Sequence, residues 1–401
     1  MSVRKRSWTT TAGEERESWV VDYFDAGGTR RLKTFKRKKD ADAWSDATGT
    51  AVRDGVHVAD GASVRVREAA RLWLATCEAN QLEPATIAQY RSHIDYHLVP
   101  LIGGLKLAAL NAPTVRNLED KLIAGGRSPT LTRYVLRSLG SMLADSQERR
   151  LVARNVVRDL KARRRRRGPE ERRGSKLKIG VDIPTPQEIK ALLAAATGRW
   201  RPFLLVAVFT GLRASELRGL RWIDLDLARS ELHVRQRIDR YRRTGPPKTA
   251  AGERTVPLPR EAVVALREWK VACPRLNGKL ELVFPTSTGS AHELTNIVLH
   301  GLIPTWIAAG VTAPASEKPA GRKHRDRSKL TAKYTGLHSL RHFFASWCIN
   351  RKPDGLELSP KEVQERLGHS SITMTYDRYG HLFPRRDDNG ELNAASQLLL
   401  S

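Results

Sequence analysis

Cysteine, long apolar runs and acidic residues are all scarce in this chain of 401 residues. The three cysteines, Cys77, Cys273 and Cys348, lie far apart and form no CxxC pair. This excludes a disulfide framework and a zinc ribbon, and it predicts a reducing, cytoplasmic location. The longest apolar run, residues 203–209, is far shorter than the roughly 18–20 residues of a membrane span. No apolar stretch follows the basic N-terminus, so we expect neither a membrane anchor nor a signal peptide.

The shortage of acidic residues leaves a large positive charge. Lysine and arginine number 70 against 43 aspartates and glutamates, so the formal net charge is +27. Such an excess predicts a polyanionic partner, either nucleic acid or an anionic membrane surface. No long basic helix with an aromatic and leucine face is evident, which favours nucleic acid over a membrane. A bias toward basic proteins in the host is the remaining alternative.

Changes of pattern along the chain predict a multidomain protein. We expect a small β-sheet-plus-helix module, an all-α helical bundle, and a mixed, mainly α domain that contains a small β-sheet. A basic linker separates the last two, and a short tail follows. The boundaries expected are 1–60 for the first module, 64–162 for the bundle, 163–180 for the linker, 181–384 for the mixed domain and 385–401 for the tail.

The first module contains two strand-like runs, residues 18–24 and 30–35, joined by a turn at residues 25–28. Residues 38–52 then have helical spacing of apolar side chains. A sheet with one helix is a common small DNA-binding design, and basic residues in and after the second strand would form its contact face; the alternative is a solvated hairpin. These candidate DNA contacts are Arg30, Arg31, Lys33, Lys36 and Arg37.

Residues 64–160 predict a bundle of four or five helices with its own core. We expect helices to open at Pro84, Pro113 and Pro129, and Pro100 with Gly103 to stop the second of them. Five consecutive arginines, residues 163–167, then interrupt the apolar periodicity and predict an exposed spacer. The same run could contact DNA phosphates, and its candidates are Arg163, Arg164 and Arg165.

From residue 178 onward, we expect a helix opening near Pro186 and an apolar run, residues 203–209, that continues into a helix carrying Arg213. Residues 231–238 and 254–258 predict strands on either side of a loop that contains Lys248. Residues 314–333 form a polar insertion, which we expect to be mobile.

Four stretches of this last region each place a residue suited to binding phosphate beside an apolar helix or a hairpin. They are residues 210–217 with Arg213, the loop lysine Lys248, residues 338–342 with the sequence HSLRH, and residues 367–369 with Tyr379 ten positions after His369. Together and in this order, they resemble the tyrosine recombinases of the phage-integrase family. The resemblance extends over residues 64–384.

The resemblance implies roles for individual residues. Arg213 and Arg341 would neutralise the charge that develops on the non-bridging phosphate oxygens, and Glu216, one turn after Arg213, would orient it. His338 would accept a proton or a hydrogen bond, and His369 would donate to the phosphate. Lys248 would protonate the leaving 5′-oxygen. Tyr379 would be the nucleophile, with Tyr376, three residues earlier and near the same helical face, as the alternative.

Metal binding by His338 and His342 is a rival interpretation of the same segment. Their i, i+4 spacing is that of zinc proteases, but the glutamate of HExxH is missing and an arginine lies between them. We therefore expect no metal. The chemistry implied by the family also needs no ATP or other cofactor, because the phosphotyrosine conserves the energy of the broken bond.

The resemblance also implies partners. The bundle, with residues 86–91 ending in Arg91, resembles a core-site-binding domain, and residues 1–60 resemble the arm-binding module of integrases. We therefore expect double-stranded DNA with core and arm sites, a tetramer on DNA held together partly by the apolar C-terminal tail, and excision or host DNA-bending factors. Two rivals remain: a type IB-like topoisomerase without strand exchange, and an inactive DNA-binding regulator.

Overall fold

A computed structural model describes residues 1–11, 13–24, 28–53, 63–165, 176–275, 277–278, 281–314, 330–384 and 388–400. The chain forms two compact units, Met1–Arg172 and Arg173–Ser401. The division falls inside the arginine-rich segment that the sequence marks as a linker. Residues 54–62, around the expected end of the first module, and residues 166–175 of the expected basic linker lie outside the described residues.

The first unit combines a small sheet with a helical region. Its elements are β1 (Ser2–Thr9), β2 (Glu15–Phe24), β3 (Arg30–Phe35), α1 (Lys38–Arg53), α2 (Val66–Ala79), α3 (Pro84–His93), α4 (Val99–Ile102), α5 (Ala112–Ala124), α6 (Pro129–Glu148) and α7 (Val156–Arg165).

The sheet has the antiparallel order β1-β2-β3. Helix α1 covers one of its faces, where the Trp44 ring lies 5.4 Å from Tyr23 and 5.8 Å from Phe35, centroid to centroid. The two strands and the helix expected from the sequence are present, but β1 was missed. Almost every residue of β1 is exposed, so this edge strand has no alternation of apolar and polar side chains to reveal it.

The helical region has a continuous apolar core made by α2 and α4–α7 with the turns between them. Helices open at Pro84 and Pro129 as expected, and the Ser128 hydroxyl caps the latter by accepting from the Leu131 N–H at 3.2 Å. The expected stop is confirmed at Gly103, which caps the helical path after Ile102, but it is wrong at Pro100. A π-helical turn, Ile94–Leu98, joins α3 to α4, and Pro100 then lies in the first turn of α4, where its missing N–H is tolerated.

Helix α7 runs to Arg165, three residues into the predicted linker. The first arginines of the run are therefore helical rather than part of an irregular spacer, because the helix that begins at Val156 continues through them.

The second unit is mixed and mainly helical. Its elements are α8 (Pro186–Ala195), α9 (Trp200–Thr210), α10 (Ala214–Gly219), β4 (Leu225–Asp226), β5 (Glu231–Val234), β6 (Arg237–Ile238), β7 (Thr244–Gly245), β8 (Arg254–Pro257), α11 (Arg260–Ala272), α12 (Leu294–Ile297), α13 (Ile303–Ala308), β9 (Thr312–Pro314), β10 (Leu330–Ala332), α14 (His338–Ile349), α15 (Pro360–Leu367), α16 (Ile372–Tyr379) and α17 (Asp388–Leu400).

Two expectations for this unit need correction. The apolar helix α9 ends at Thr210, and Gly211 adopts φ 58°, so Arg213 is not carried by that helix but stands immediately before α10. A side chain at Gly211 would also collide with the Phe344 ring. The single strand expected over 231–238 is two strands, β5 and β6, which belong to separate sheets, β4-β5-β8 and β6-β7.

The ends of the polar insertion are ordered by pairing. Strands β9 and β10 form an antiparallel ladder, and Lys333 beside β10 forms a 2.6 Å ion pair with Glu188 of α8. Residues 315–329, the middle of the expected mobile insertion, lie outside the described residues.

Candidate active site

Arg213 begins the site at the turn between α9 and α10. The Glu216 carboxylate accepts hydrogen bonds from the Arg213 backbone N–H at 2.9 Å and from the Arg213 guanidinium at 2.7 Å. Oε2 of Glu216, which accepts from the Arg213 backbone N–H, also pairs with Arg254 of β8 at 3.0 Å, whereas Oε1 accepts from the Arg213 guanidinium. Burial raises the pKa of Glu216, but Arg254 and Arg213 outweigh it and hold the pKa below its usual range. One buried carboxylate therefore holds two guanidinium groups.

Three consecutive backbone carbonyls at the end of α15 bind three different arginines. Arg254 donates to the Arg366 carbonyl at 2.8 Å, Arg341 to the Leu367 carbonyl at 2.6 Å, and Arg213 to the Gly368 carbonyl at 2.9 Å. The last carbonyls of a helix carry partial negative charge and need partners. The end of α15 thereby binds arginines that lie 26 to 155 residues away in the sequence.

Arg341 is the most buried cation of the group. It lies in α14, is 3% exposed, and also donates to the Gly211 carbonyl at 2.6 Å. Burial and the neighbouring Arg213 guanidinium lower its pKa to about 9. Among the described residues, Glu216 is the carboxylate that contacts this arginine cluster, so three guanidinium groups share one negative charge. The cluster is suited to binding an anion.

Two histidines of α14 lie beside Arg341. His338 opens the helix at the surface, and its ring centroid lies 4.5 Å from that of His342, edge to face. Although part of the ring is exposed, desolvation by the surrounding protein and then the charge of Arg341 lower the pKa of His338. The buried His342 places Nδ1 2.7 Å from the Tyr379 Oη.

His369 and Tyr379 complete the site. His369 follows the left-handed Gly368 that ends α15, is buried, and places Nδ1 2.9 Å from the Thr375 hydroxyl. Burial and Arg341 lower its pKa to about 4. Tyr379, the last residue of α16, lies with its ring parallel to the His369 ring, at 6.3 Å between centroids.

The two candidate tyrosines differ sharply in environment. Tyr379 is 2% exposed, whereas Tyr376 is 51% exposed and packs near Phe383. The expectation that both approach one site from the same helical face is therefore wrong. Three residues turn a helix by about 300°, so the two side chains point about 60° apart around the helix axis. At the end of this short helix, that angle separates a buried from an exposed position.

Among the described residues, no hydrogen bond or ion pair joins Lys248 to this cluster. It is exposed on the loop between β7 and β8. The structure thus brings Arg213, Glu216, Arg341, His338, His369 and Tyr379 together around the end of α15.

The expected DNA contacts in the first module do not share one face. Arg30 points away from α1 and pairs with Asp22 at 3.0 Å, whereas Arg31 and Lys33 alternate to the side that α1 covers. The Lys33 ammonium lies 4.7 Å from the centre of the Trp44 ring. Lys36 and Arg37 are exposed in the turn before α1. A strand alternates its side chains, so neighbouring basic residues cannot form a single surface.

The remaining expected DNA contacts lie in helices of the first unit. In the helical region Arg91 pairs with Glu78 at 2.9 Å. Arg163, Arg164 and Arg165 lie in the last turn of α7.

Sequence reasoning missed Arg254, His342 and Arg378 as parts of this site; the Arg378 Nη2 lies 3.4 Å from the His342 Nε2. Arg254 stands in a strand that was read only for its apolar alternation, and His342 was considered only as a metal ligand. Among the described residues no group of three or more potential metal-binding side chains occurs. No helix in the described part of the chain has the length and apolar character needed to span a membrane.

Comparisons with known proteins identify the same regions. A model of the phage integrase family matches residues 184–386, and a phage integrase N-terminal SAM-like domain matches residues 66–123. A "tyrosine recombinase XerC-like" protein of Caldanaerobacter subterraneus subsp. tengcongensis is 27% identical over 91% of this chain and 92% of its own length. The ICEBs1 integrase of Bacillus subtilis is 24% identical over 79% of this chain and 78% of its own.

Solved structures share the fold. The Tn1549 transposon integrase bound to a circular intermediate DNA superposes with a TM-score of 0.61 at 16% identity, covering 82% of this chain and 99% of that one. A lambda integrase dimer bound to a core site gives a TM-score of 0.55 at 16% identity, covering 95% of this chain and 97% of that one.

Proposed function

This chain belongs to the phage integrase family and is a site-specific tyrosine recombinase of the integrase type, and from that premise we propose which of its residues carry out strand exchange. The observation that supports the assignment best is the arginine cluster. Arg213 and Arg254 pair with the single carboxylate of Glu216, and Arg213 and Arg341 donate to neighbouring carbonyls at the end of α15. A phosphodiester would supply the negative charge that this cluster lacks.

We propose that Tyr379 attacks the phosphorus atom held by Arg213 and Arg341. A bond forms between the tyrosine oxygen and phosphorus while the bond to the 5′-oxygen breaks, leaving a 3′-phosphotyrosyl enzyme and a free 5′-hydroxyl. His338 accepts the phenol proton, and Lys248 protonates the leaving oxygen. His369 donates a hydrogen bond to the phosphate, and Glu216 keeps Arg213 in position.

The 5′-hydroxyl of a partner strand then attacks the phosphotyrosine, which exchanges the strands. We extend to this chain the assembly named for a structural neighbour, a lambda integrase tetramer on a Holliday junction. Leu398, Leu399 and Leu400 at the end of α17 are exposed, which suits a tail that packs on another copy. We propose that residues 64–162 hold the core sites and residues 1–60 the arm sites.

Replacing one arginine tests this assignment directly. Arg341→Ala should leave core-site binding nearly unchanged, because peripheral phosphates supply most of the affinity. Cleavage should fall about 100-fold or more, since an oxyanion contact made in the transition state is lost. The measurements are a binding titration and the rate of covalent adduct formation on a nicked core-site duplex. A variant that cleaves nearly as fast as the unaltered protein would remove Arg341 from the catalytic set.

The two rival functions give different outcomes in the same assay. Relaxation of supercoiled DNA without any recombinant product would indicate a topoisomerase. Core-site binding with no covalent adduct in the unaltered protein would indicate a DNA-binding regulator.

A further inference from the structure

His342 has no part in the roles assigned above, yet it touches the reacting atom. Its Nδ1 lies 2.7 Å from the Tyr379 Oη, and the residue is 6% exposed. The two rings meet edge to face at 5.7 Å between centroids. The phenolic oxygen of the nucleophile is therefore held by a buried imidazole from a different helix.

Arg378 decides which nitrogen of His342 carries the proton. Its Nη2 lies 3.4 Å from the His342 Nε2, on the side of the ring opposite to Tyr379. A guanidinium can only donate, so it requires the lone pair of Nε2. We assign the neutral ring its proton at Nδ1 on this ground. The Nδ1–H then points at the Tyr379 oxygen.

The surroundings of His342 keep it neutral. Burial, followed by His338, Arg378 and Arg341, lowers its pKa to about 3, and Asp182 is the group that opposes this shift. Its other close partner is the Tyr379 phenol. Around neutral pH the ring is therefore an uncharged donor whose state does not change with pH. A neutral imidazole held in this way can stabilise negative charge on oxygen.

We propose that His342 is a catalytic residue of strand cleavage: its Nδ1–H donates to the Tyr379 oxygen, fixes that oxygen in place and stabilises the negative charge that develops on it. The inference rests on the proposed function, in which Tyr379 is the nucleophile. The phenol proton passes to His338, not to His342. On rejoining, the phenolic oxygen becomes the leaving group, and the same N–H stabilises it before a proton returns.

The nucleophile needs such a donor because its site disfavours the phenolate. Burial raises the pKa of Tyr379 to about 12, although Arg341, Arg378 and Arg213 act in the opposite direction. A hydrogen bond donated to the charged form favours that form. His342 thus offsets part of the cost of burying the nucleophile.

Two amide substitutions at His342 distinguish hydrogen-bond donation to the Tyr379 oxygen from proton acceptance by the ring. His342→Asn places an N–H donor near the position of Nδ1, whereas His342→Gln places its amide near Nε2, and neither side chain can accept a proton as a base. We expect His342→Asn to form the covalent adduct within about tenfold of the unaltered rate and His342→Gln to be slower by about 100-fold or more. The Gln variant should also recover steeply as the pH rises, because hydroxide then removes the phenol proton.

Every other outcome contradicts the inference. Equal loss in both variants would make the ring itself the proton acceptor, and full activity in both would show that His342 has no role in cleavage. Tyr379→Phe is the control for the premise: an adduct formed by that variant would overturn the assigned nucleophile, not the role of His342 alone.

The other side of the ring provides a second test in case a variant at His342 does not fold. Arg378→Lys keeps a donor beside Nε2, whereas Arg378→Met removes it and lets the proton move to Nε2. We expect adduct formation to be preserved in the Lys variant and reduced several-fold in the Met variant. Equal rates in these two variants would overturn the tautomer on which the inference depends. Core-site binding and thermal unfolding of each full-length variant show that the fold is intact.

Discussion

Arg254 joins three parts of the candidate active site through one guanidinium group. It donates to the Glu216 carboxylate, to the Arg366 carbonyl and to the Gly252 carbonyl beside the loop that carries Lys248. Its side chain is 6% exposed. A side chain at Gly368 would press against this guanidinium, so the turn before His369 is built around Arg254.

Removing Arg254 should therefore cost stability as well as activity. Arg254→Met leaves the buried Glu216 with Arg213 as its remaining ion-pair partner, and breaking such a buried pair typically costs about 3–5 kcal/mol. The double variant Glu216→Gln/Arg254→Met should lose much less than the sum of the two single losses, because the carboxylate that Arg254 neutralises is removed together with Arg254. Denaturant unfolding of the four proteins measures this. Additive losses would show that the two groups are not coupled.

The candidate catalytic residues follow from the motifs that resemble the family, but the contacts of these residues do not. Spacing indicated Tyr379 over Tyr376 without any knowledge of burial. No local pattern reveals that the carbonyls of residues 366–368 each bind a different arginine, because these contacts join segments separated by 26 to 155 residues. Arg254 and His342 were missed for the same reason.

The N-terminal sheet presents a basic face that α1 does not cover. Arg4 and Arg6 of β1 lie opposite Val20 and Ser18 of β2, on the side away from Trp44. Trp8 and Leu32 on this side are also exposed. A two-stranded β-ribbon with such a face can enter the major groove of DNA. This outer face, not the run of residues 30–37, is the surface that we expect to bind arm sites.

Two substitutions with equal changes of charge test that expectation. Arg6→Met removes a cation from the outer face, and Lys33→Met removes one from the face against α1. The first should weaken binding to arm-site duplexes and reduce the slope of log affinity against log salt by about 0.9, the amount for one phosphate contact. The second should leave that slope unchanged. A larger effect of Lys33→Met would place the DNA on the helix side.

Elements with strong apolar periodicity were predicted well, and those without it were not. The start of α6 at Pro129 followed from its cap. Strand β1 escaped because it is an exposed edge, and the continuation past Pro100 depends on a π-helical turn that no propensity indicates. Tertiary packing decides these cases.

For the whole molecule, charge and motif order carried most of the functional prediction. The net charge of +27 indicated a polyanion, and the order of the arginine, histidine and tyrosine motifs indicated the family that the comparisons then identified. The fold is shared with integrases at only 16% identity. Two chains can share this fold with few identical residues, provided that the buried positions stay apolar.

The most direct test of the account is to identify the tyrosine that becomes linked to DNA. Trypsin cuts after Arg378, so Tyr376 falls in the peptide 367–378 and Tyr379 in the peptide 379–385. The unaltered protein is incubated with a nicked core-site duplex that traps the covalent intermediate, digested and analysed by mass spectrometry. The account predicts that the DNA remnant is on Tyr379, that Tyr376→Phe forms the same adduct, and that Tyr379→Phe forms none. A DNA remnant on Tyr376 would contradict it.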